Sequence, residues 1–177
     1  MKIVLRDALI DFARLSHIYS STTISPDNDQ GRYIRQETAI RLRLFDVLSK
    51  DPHITKILCT DPYQDDGRLC VFDMFLVSGG TEYLLEGKER NSGSTAVSSW
   101  GIESVKADEL LEVSRRKSIG VLWASLHTDG VCLIWPIGAP SYARKRLCDR
   151  KTFEPGLGKI PKEFRDYPVR NAIRLHQ

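Results

Sequence analysis

Val71-Phe72-Asp73-Met74-Phe75-Leu76-Val77-Ser78-Gly79-Gly80-Thr81-Glu82-Tyr83-Leu84-Leu85-Glu86-Gly87-Lys88 reads as two strands joined by a tight turn. Val71, Phe72, Met74 to Val77 and Tyr83 to Leu85 have the composition of a buried or half-buried hairpin. Ser78-Gly79-Gly80-Thr81 predicts the turn, because glycine takes positive φ without a Cβ clash. Three charges interrupt the apolar run: Asp73, Glu86 and Lys88. Glu86 and Lys88 lie two apart on a strand and so share a face. Closure at Gly79-Gly80 would bring Asp73 towards the level of Glu86. Two carboxylates and an ammonium would then converge on one side of a sheet.

Such a cluster needs compensation. Neighbouring carboxylates repel, and a buried one takes up a proton or a cation. Oxygen ligands with open positions suit Mg²⁺ or Mn²⁺. A metal held by Asp73 and Glu86 would lower the pKa of a bound water and stabilise charge on a phosphate. Lys88 would orient the nucleophile or neutralise the transition state. The bland reading of the same residues is a strand pair with a surface Glu86–Lys88 ion pair, and short charge patterns are common.

The 177 residues are expected to form one domain, residues 1–177, long enough for a sizeable core. A hydrophobic content of 41% with 28% charged residues is that of a soluble globular chain. No apolar run reaches the roughly 18 residues of a membrane span. Met1 to Asp7 breaks its apolar run with charge too early for a signal peptide. Cys59, Cys70, Cys132 and Cys148 are scattered without a C-x-x-C pair, which disfavours a zinc knuckle and suits a reducing cytoplasm. The net charge of +3 is unevenly placed: residues 141–177 hold ten Lys/Arg against four Asp/Glu, leaving sixteen against nineteen elsewhere. A basic C-terminal segment on a slightly acidic body points to an anionic partner, nucleic acid before membrane. A merely solvated C-terminus would look the same.

Taken in order, residues 2–18 predict a first helix, with Leu5, Leu9, Phe12 and Ala13 at helical spacing. Residues 19–31 are rich in turn formers and predict a loop. A second helix is expected from about Tyr33 to Lys50, with Ile40, Leu44, Val47 and Leu48 as its stripe. Glu37 near its start either pairs with Arg41 one turn on or points into the charged cluster. Arg32, Arg35, Arg41 and Arg43 are solvated helix charge or contacts to phosphate backbone. Ile54 to Cys59 predicts a strand. Asp61, Asp65 and Asp66 in the following connection do not match a calcium loop and read as turn residues. Glu89 to Thr95 is polar, like a loop passing the mouth of a site, and residues 96–102 are ambiguous. Ser104 to Lys117 predicts a helix whose basic end suits the helix dipole. Its Lys106 is a solvated lysine or a site residue. Ile119 to Leu126 and Val131 to Ile137 predict an antiparallel strand pair across an Asp129-Gly130 turn, with Pro136 marking an edge or a strand end. His127 has no Ser, Cys or carboxylate at a triad spacing. Residues 138–168 read as irregular. Arg144, Lys145, Arg146, Arg150 and Lys151 form the densest basic patch, interleaved with Tyr142, Phe153 and Tyr167, as a groove for backbone tracking and stacking would be.

The order of a helix with Glu37, a strand, a strand with Asp73, a strand with Glu86-Gly87-Lys88, a helix and two strands resembles the PD-(D/E)XK nuclease superfamily. The matching core runs from about Tyr33 to Ile137, with 138–177 as a basic C-terminal extension. Phe72-Asp73 and Leu85-Glu86-Gly87-Lys88-Glu89 look like the family's central signature, with Phe72 where the nominal motif has proline. The resemblance implies a restriction-endonuclease-like α/β/α core around a mixed sheet. It implies that Asp73 and Glu86 ligate a divalent metal, Mg²⁺ or Mn²⁺, with the Gly87 carbonyl as a further ligand and Lys88 assisting the attacking water. Glu37 resembles the first-helix glutamate that supports the metal. Lys106 falls where some members carry a further polar residue, and joins the basic patch as a nucleic-acid contact.

The function expected is metal-dependent hydrolysis of phosphodiesters in nucleic acid, DNA before RNA. The alternative from another class is a binding or interaction module on the same fold, without catalysis. A hydrolase of small phosphorylated molecules is a weaker third, because no Gly-rich phosphate loop is present. Cutting both strands of a duplex often takes two active sites, so a homodimer stays open although no dimer face stands out. A compact chain of this kind would suit a phage or mobile element.

Overall fold

A computed structural model describes residues 9–20, 29–60, 72–149 and 159–176. Its elements are β1 (Leu9–Ile10), α1 (Phe12–Ser20), α2 (Asp29–Leu48), β2 (Ile54–Thr60), β3 (Met74–Ser78), β4 (Thr81–Glu89) and β5 (Ser99–Glu103). There follow α3 (Ser104–Lys117), β6 (Gly120–Leu126), β7 (Val131–Pro136), β8 (Tyr142–Asp149), β9 (Lys159–Pro168) and β10 (Ile173–His176). Leu5, Asp61, Asp65, Asp66, Cys70, Arg150, Lys151 and Phe153 lie outside the described residues.

The hairpin closes where expected. Gly79 and Gly80 have φ of +55° and +80°, a two-residue turn whose twist matches its strands. Met74 faces Leu85 and Ser78 faces Thr81, so Asp73, just before β3, comes level with Glu86. A seven-stranded sheet grows around it in the order β1-β2-β3-β4-β6-β7-β10. β4 and β6 are parallel and the other neighbours in this sheet antiparallel. A parallel pair needs a long crossover, supplied here by β5 and α3.

Side chains alternate between two cores. Met74, Leu76, Leu85, Ala124, Cys132 and Ile134 meet Ile40, Leu44, Val47 and Leu48 of α2 and Leu15 of α1. Phe75, Leu84, Trp123, Leu133 and Trp135 meet Ala107, Leu110 and Val113 of α3. Both faces of the central strands are thus buried, giving the α/β/α layering expected from the sequence. Among the described residues no helix is long and apolar enough to cross a membrane.

The N-terminus departs from expectation. Leu9 and Ile10 pair with β2, and α1 starts only at Phe12. Asp11 explains the start: its Oδ1 accepts the Arg14 N–H at 2.9 Å, as an N-cap does. Tyr19, Ser20 and residues 29–31, expected in a loop, are helical. The ambiguous stretch 96–102 supplies β5.

The described residues between 138 and 168 do not form an irregular tail. β8 and β9 form an antiparallel ribbon, and β5 completes a second sheet in the order β5-β9-β8. β10 joins the main sheet beside β7, so Pro136 marks a strand end and not an edge. Tyr167 of β9 is fully buried. Its hydroxyl donates to the Ile137 carbonyl at 2.7 Å, and Trp135 Nε1 donates to the Pro168 carbonyl at 2.9 Å. Burying such aromatic surface stabilises by about 1.5–3 kcal/mol per side chain, enough to fasten the C-terminal ribbon to the sheet.

Candidate active site

The site lies where β3 and β4 diverge. Asp73 is buried, and each of its oxygens is engaged. Oδ2 accepts the Gly87 N–H at 2.7 Å. Oδ1 lies 2.7 Å from Nη2 of Arg41, with the two side chains only 7% and 8% exposed. Arg41 also meets Glu37: Nη1 is 3.2 Å from Oε2 and donates to the Glu37 carbonyl at 3.0 Å. Nη2 lies 3.4 Å from Thr60 Oγ1. Burial disfavours the guanidinium charge, but Asp73, then Glu37 and Glu86, more than offset it and raise its pKa.

Glu86 is held from the opposite layer. Its Oε2 lies 3.3 Å from Nζ of Lys106 on α3. That contact lacks hydrogen-bond geometry, and the buried Oε2 is otherwise unpartnered among the described residues. Burial, and then repulsion by Asp73, push the Glu86 carboxyl well above the ordinary range; Lys106 only partly opposes this. A buried oxygen in that condition suits a proton or a cation.

Glu86, Lys88 and Lys106 open on a cavity of about 260 Å³, together with Gly87, Arg90, Trp123 and Phe164. Asp73 does not line it. Among the described residues no three His, Cys, Asp or Glu side chains are grouped to hold a metal. The donor set present is two carboxylates with the Gly87 backbone between them. Glu86 fits a divalent cation as it stands, and Asp73 fits one once Arg41 leaves its Oδ1.

The sequence-derived residues therefore separate. Glu86, Gly87 and Lys88 share the cavity, and Lys106 joins them instead of lying in solvent. Asp73 does not converge with them on one side of the sheet: it turns to Arg41 on α2 and meets the cluster through the Gly87 N–H and its charge on Glu86. Glu37 reaches the cluster through Arg41, so its helix pair and its inward direction hold at once. Arg43 pairs with Glu89 across the α2–β4 interface. The Arg32 side chain lies outside the described residues. Arg144 and Lys145 are exposed on β8, and the Arg146 side chain lies outside the described residues. Register sets Arg144 opposite Phe164, which lines the cavity, so the ribbon borders the site. Tyr142 is 47% exposed, whereas Tyr167 is buried in the core and has no face for stacking.

Two residues were missed. The sequence makes Arg41 a helix partner of Glu37, solvated helix charge or a phosphate contact, but not the partner of Asp73 that it is. Arg90 was assigned to a loop, yet its guanidinium lies 5.3 Å from the Trp100 ring centre and 5.7 Å from that of Trp123. It donates to the Gly101 carbonyl at 2.9 Å and meets Ser125 Oγ at 3.4 Å. The alternation Glu86-x-Lys88-x-Arg90 was the signal that could have found it.

No family model and no curated protein matches the chain. A solved structure to which it is similar is the Holliday junction resolvase Hjc of the archaeal hyperthermophile Archaeoglobus fulgidus. The TM-score is 0.46 at 13% identity, over 74% of this chain and 87% of that one.

Proposed function

We propose that the chain is a divalent-metal-dependent nuclease that hydrolyses phosphodiesters in nucleic acid, DNA in preference to RNA. The observation that carries this is the buried Glu86 Oε2, under the charge of Asp73 and met among the described residues only by the Lys106 ion pair, in a cavity that also presents Lys88 and Arg90. Glu86 and Asp73 would hold Mg²⁺ or Mn²⁺, with the Gly87 carbonyl as a third oxygen. Bound there, the metal would supply an activated water and neutralise charge on the phosphate. Lys88, exposed at the cavity, would orient the attacking water. Arg90 would grip a phosphate oxygen with a guanidinium already fixed on two indole faces. Lys106 would hold Glu86 in place. Arg144 and Lys145 would track the backbone beyond the cavity.

The test is cleavage of labelled circular and linear DNA, single- and double-stranded, with Mg²⁺, Mn²⁺ or chelator, beside a Glu86→Gln control. Metal-dependent cutting lost in the control is the expected result, and circular against linear products separate internal from end-dependent attack. The engagement of both Asp73 oxygens favours a second reading, a non-catalytic nucleic-acid-binding module. Salt-sensitive binding without cutting would establish it in place of the first.

A further inference from the structure

A nuclease site of this kind would be expected to leave its carboxylates free for metal. Here one of them is already satisfied by an internal cation. The Arg41 guanidinium sits on Asp73 Oδ1 at 2.7 Å while Gly87 takes Oδ2, so each oxygen of Asp73 already has a partner and Oδ1 faces a buried cation. A guanidinium cannot yield by losing a proton, because it stays charged at any physiological pH. It can only yield by moving.

The geometry provides somewhere to move. Arg41 has a second carboxylate, Glu37, one turn back on its own helix, and the Glu37 carbonyl accepts from the same nitrogen. Letting go of Asp73 therefore costs Arg41 one of two anionic partners and does not strand a buried charge, which would be far more costly. Glu86 is held more loosely: its ion pair with Lys106 is longer, at 3.3 Å, and less buried than that of Asp73 with Arg41, and it lines the cavity. Glu86 is the accessible ligand and Asp73 the guarded one.

Building on the nuclease reading above, we infer that Arg41 is a resident counter-cation that competes with divalent metal for Asp73, and that Glu37 is its parking position when Asp73 is released. Arg41 thereby stabilises the metal-free fold and weakens metal binding by the same contact. Glu37 acts through Arg41 and is a positioning residue.

The experiment is calorimetric titration of the full chain with Mn²⁺, together with thermal melts in chelator and in Mn²⁺, for wild type, Arg41→Gln and Arg41→Lys. Arg41→Gln is expected to bind Mn²⁺ about tenfold more tightly or better, since a buried charge competing for the ligand is gone. Its melting temperature in chelator falls below that of wild type, and Mn²⁺ raises it by more than it raises wild type. Arg41→Lys keeps the charge but not the fork, and its gain is smaller. Mn²⁺ binding by either variant that is no tighter than wild type overturns the inference. If Arg41→Gln fails to fold, Arg41→Lys decides by the same criterion. Metal-dependent cutting by a wild type whose Arg41 variants gain no affinity overturns this inference alone. Absence of Mn²⁺ binding in all three overturns it together with the metal-dependent nuclease reading.

Discussion

The backbone N–H of Gly87 donates to Asp73 Oδ2 at 2.7 Å, tying the start of one hairpin strand to the end of the other. The bond fixes the Asp73 carboxylate on the backbone next to Glu86, and it depends on residue 87 having no side chain. A Cβ built there would clash with Leu44 Cδ1 and lie 3.5 Å from Asp73 Oδ2. Leu44 is fully buried and can yield only by disturbing the α2 core. Gly87→Ala is therefore expected to destabilise by about 1–3 kcal/mol in urea unfolding, as overpacking does. It should also cut cleavage more deeply than a variant of equal instability elsewhere. Wild-type stability in Gly87→Ala would mean that the hairpin sits farther from α2 than described.

Glu86 and Asp73 should respond differently to neutralisation. Glu86→Gln removes a charge that burial already disfavours. Its stability in chelator should equal or exceed that of wild type while metal-dependent cleavage disappears. Asp73→Asn strips Arg41 of its closest partner and leaves only Glu37. A loss of about 3 kcal/mol is expected, the lower end for a broken buried pair. Lys88→Ala, at an exposed strand end, should abolish cutting with stability within about 0.5 kcal/mol of wild type. Cleavage that survives in all three would sink the catalytic assignment.

How far the sequence went follows from where periodicity was strong. The hairpin, α3 and the β6–β7 pair carry clear patterns: α3 and the β6–β7 pair fall within a residue or two of the expected bounds, while the first hairpin strand, expected from Val71, starts at Met74. The β8–β9 ribbon has no such signal. Tyr142-Ala-Arg-Lys stays exposed and is held by backbone pairing, and Pro161 and Pro168 read as breaks although they sit inside and at the end of β9. At the N-terminus the apolar spacing through Leu9 and Phe12 fitted a helix, but Asp11 capped it late and sheet pairing took Leu9 and Ile10. Asp73 and Glu86 were legible because one turn sets their register. Arg41 was not, because its approach to Asp73 arises from packing α2 on the sheet, which no local spacing encodes.

His127 is buried at the end of β6. Its Nδ1 lies 3.2 Å from the Ser92 carbonyl, and Nε2 has no hydrogen-bond partner among the described residues. Burial lowers its pKa below the ordinary histidine value, with the Ser92 carbonyl and Asp129 only partly opposing. A histidine with a depressed folded pKa adds stability above its unfolded pKa of about 6.5, and loses that contribution as pH falls through the folded value. Urea unfolding between pH 8 and 5 (about the histidine range) should show wild type losing stability relative to His127→Asn, whose amide can donate to Ser92 and does not titrate. Parallel pH curves would mean His127 is not held neutral.

Arg90 joins β5 and β6 and also lines the cavity, and the two roles can be separated. As a phosphate contact it contributes one released counterion, so Arg90→Gln should lower the slope of log affinity against log salt by about one. Arg90→Lys should recover most of that slope, since it keeps the charge. It should not recover the full affinity, since it loses the planar fork and the stacking on Trp100 and Trp123. Fluorescence anisotropy of labelled DNA in chelator measures both. A slope unchanged by Arg90→Gln would leave it as a strut between strands.

The β8–β9 ribbon should act on affinity and leave chemistry alone. Arg144 is 60% exposed and only loosely drawn to the buried Asp166 at 3.7 Å, while Lys145 is exposed beside it. Neither touches Glu86, Lys88 or Lys106, yet Arg144 lies opposite Phe164 at the cavity edge. Replacing both with alanine should remove about two counterions from the salt slope. Near 0.15 M salt, about the physiological ionic strength, KM should rise several-fold with kcat within about twofold of wild type, the pattern of lost uniform binding. Lowering the salt should restore cleavage, because the remaining charges then suffice. A fall in kcat at saturating substrate would place the ribbon inside the reacting geometry, and an unchanged KM would assign its charge to solubility and not to a nucleic-acid path.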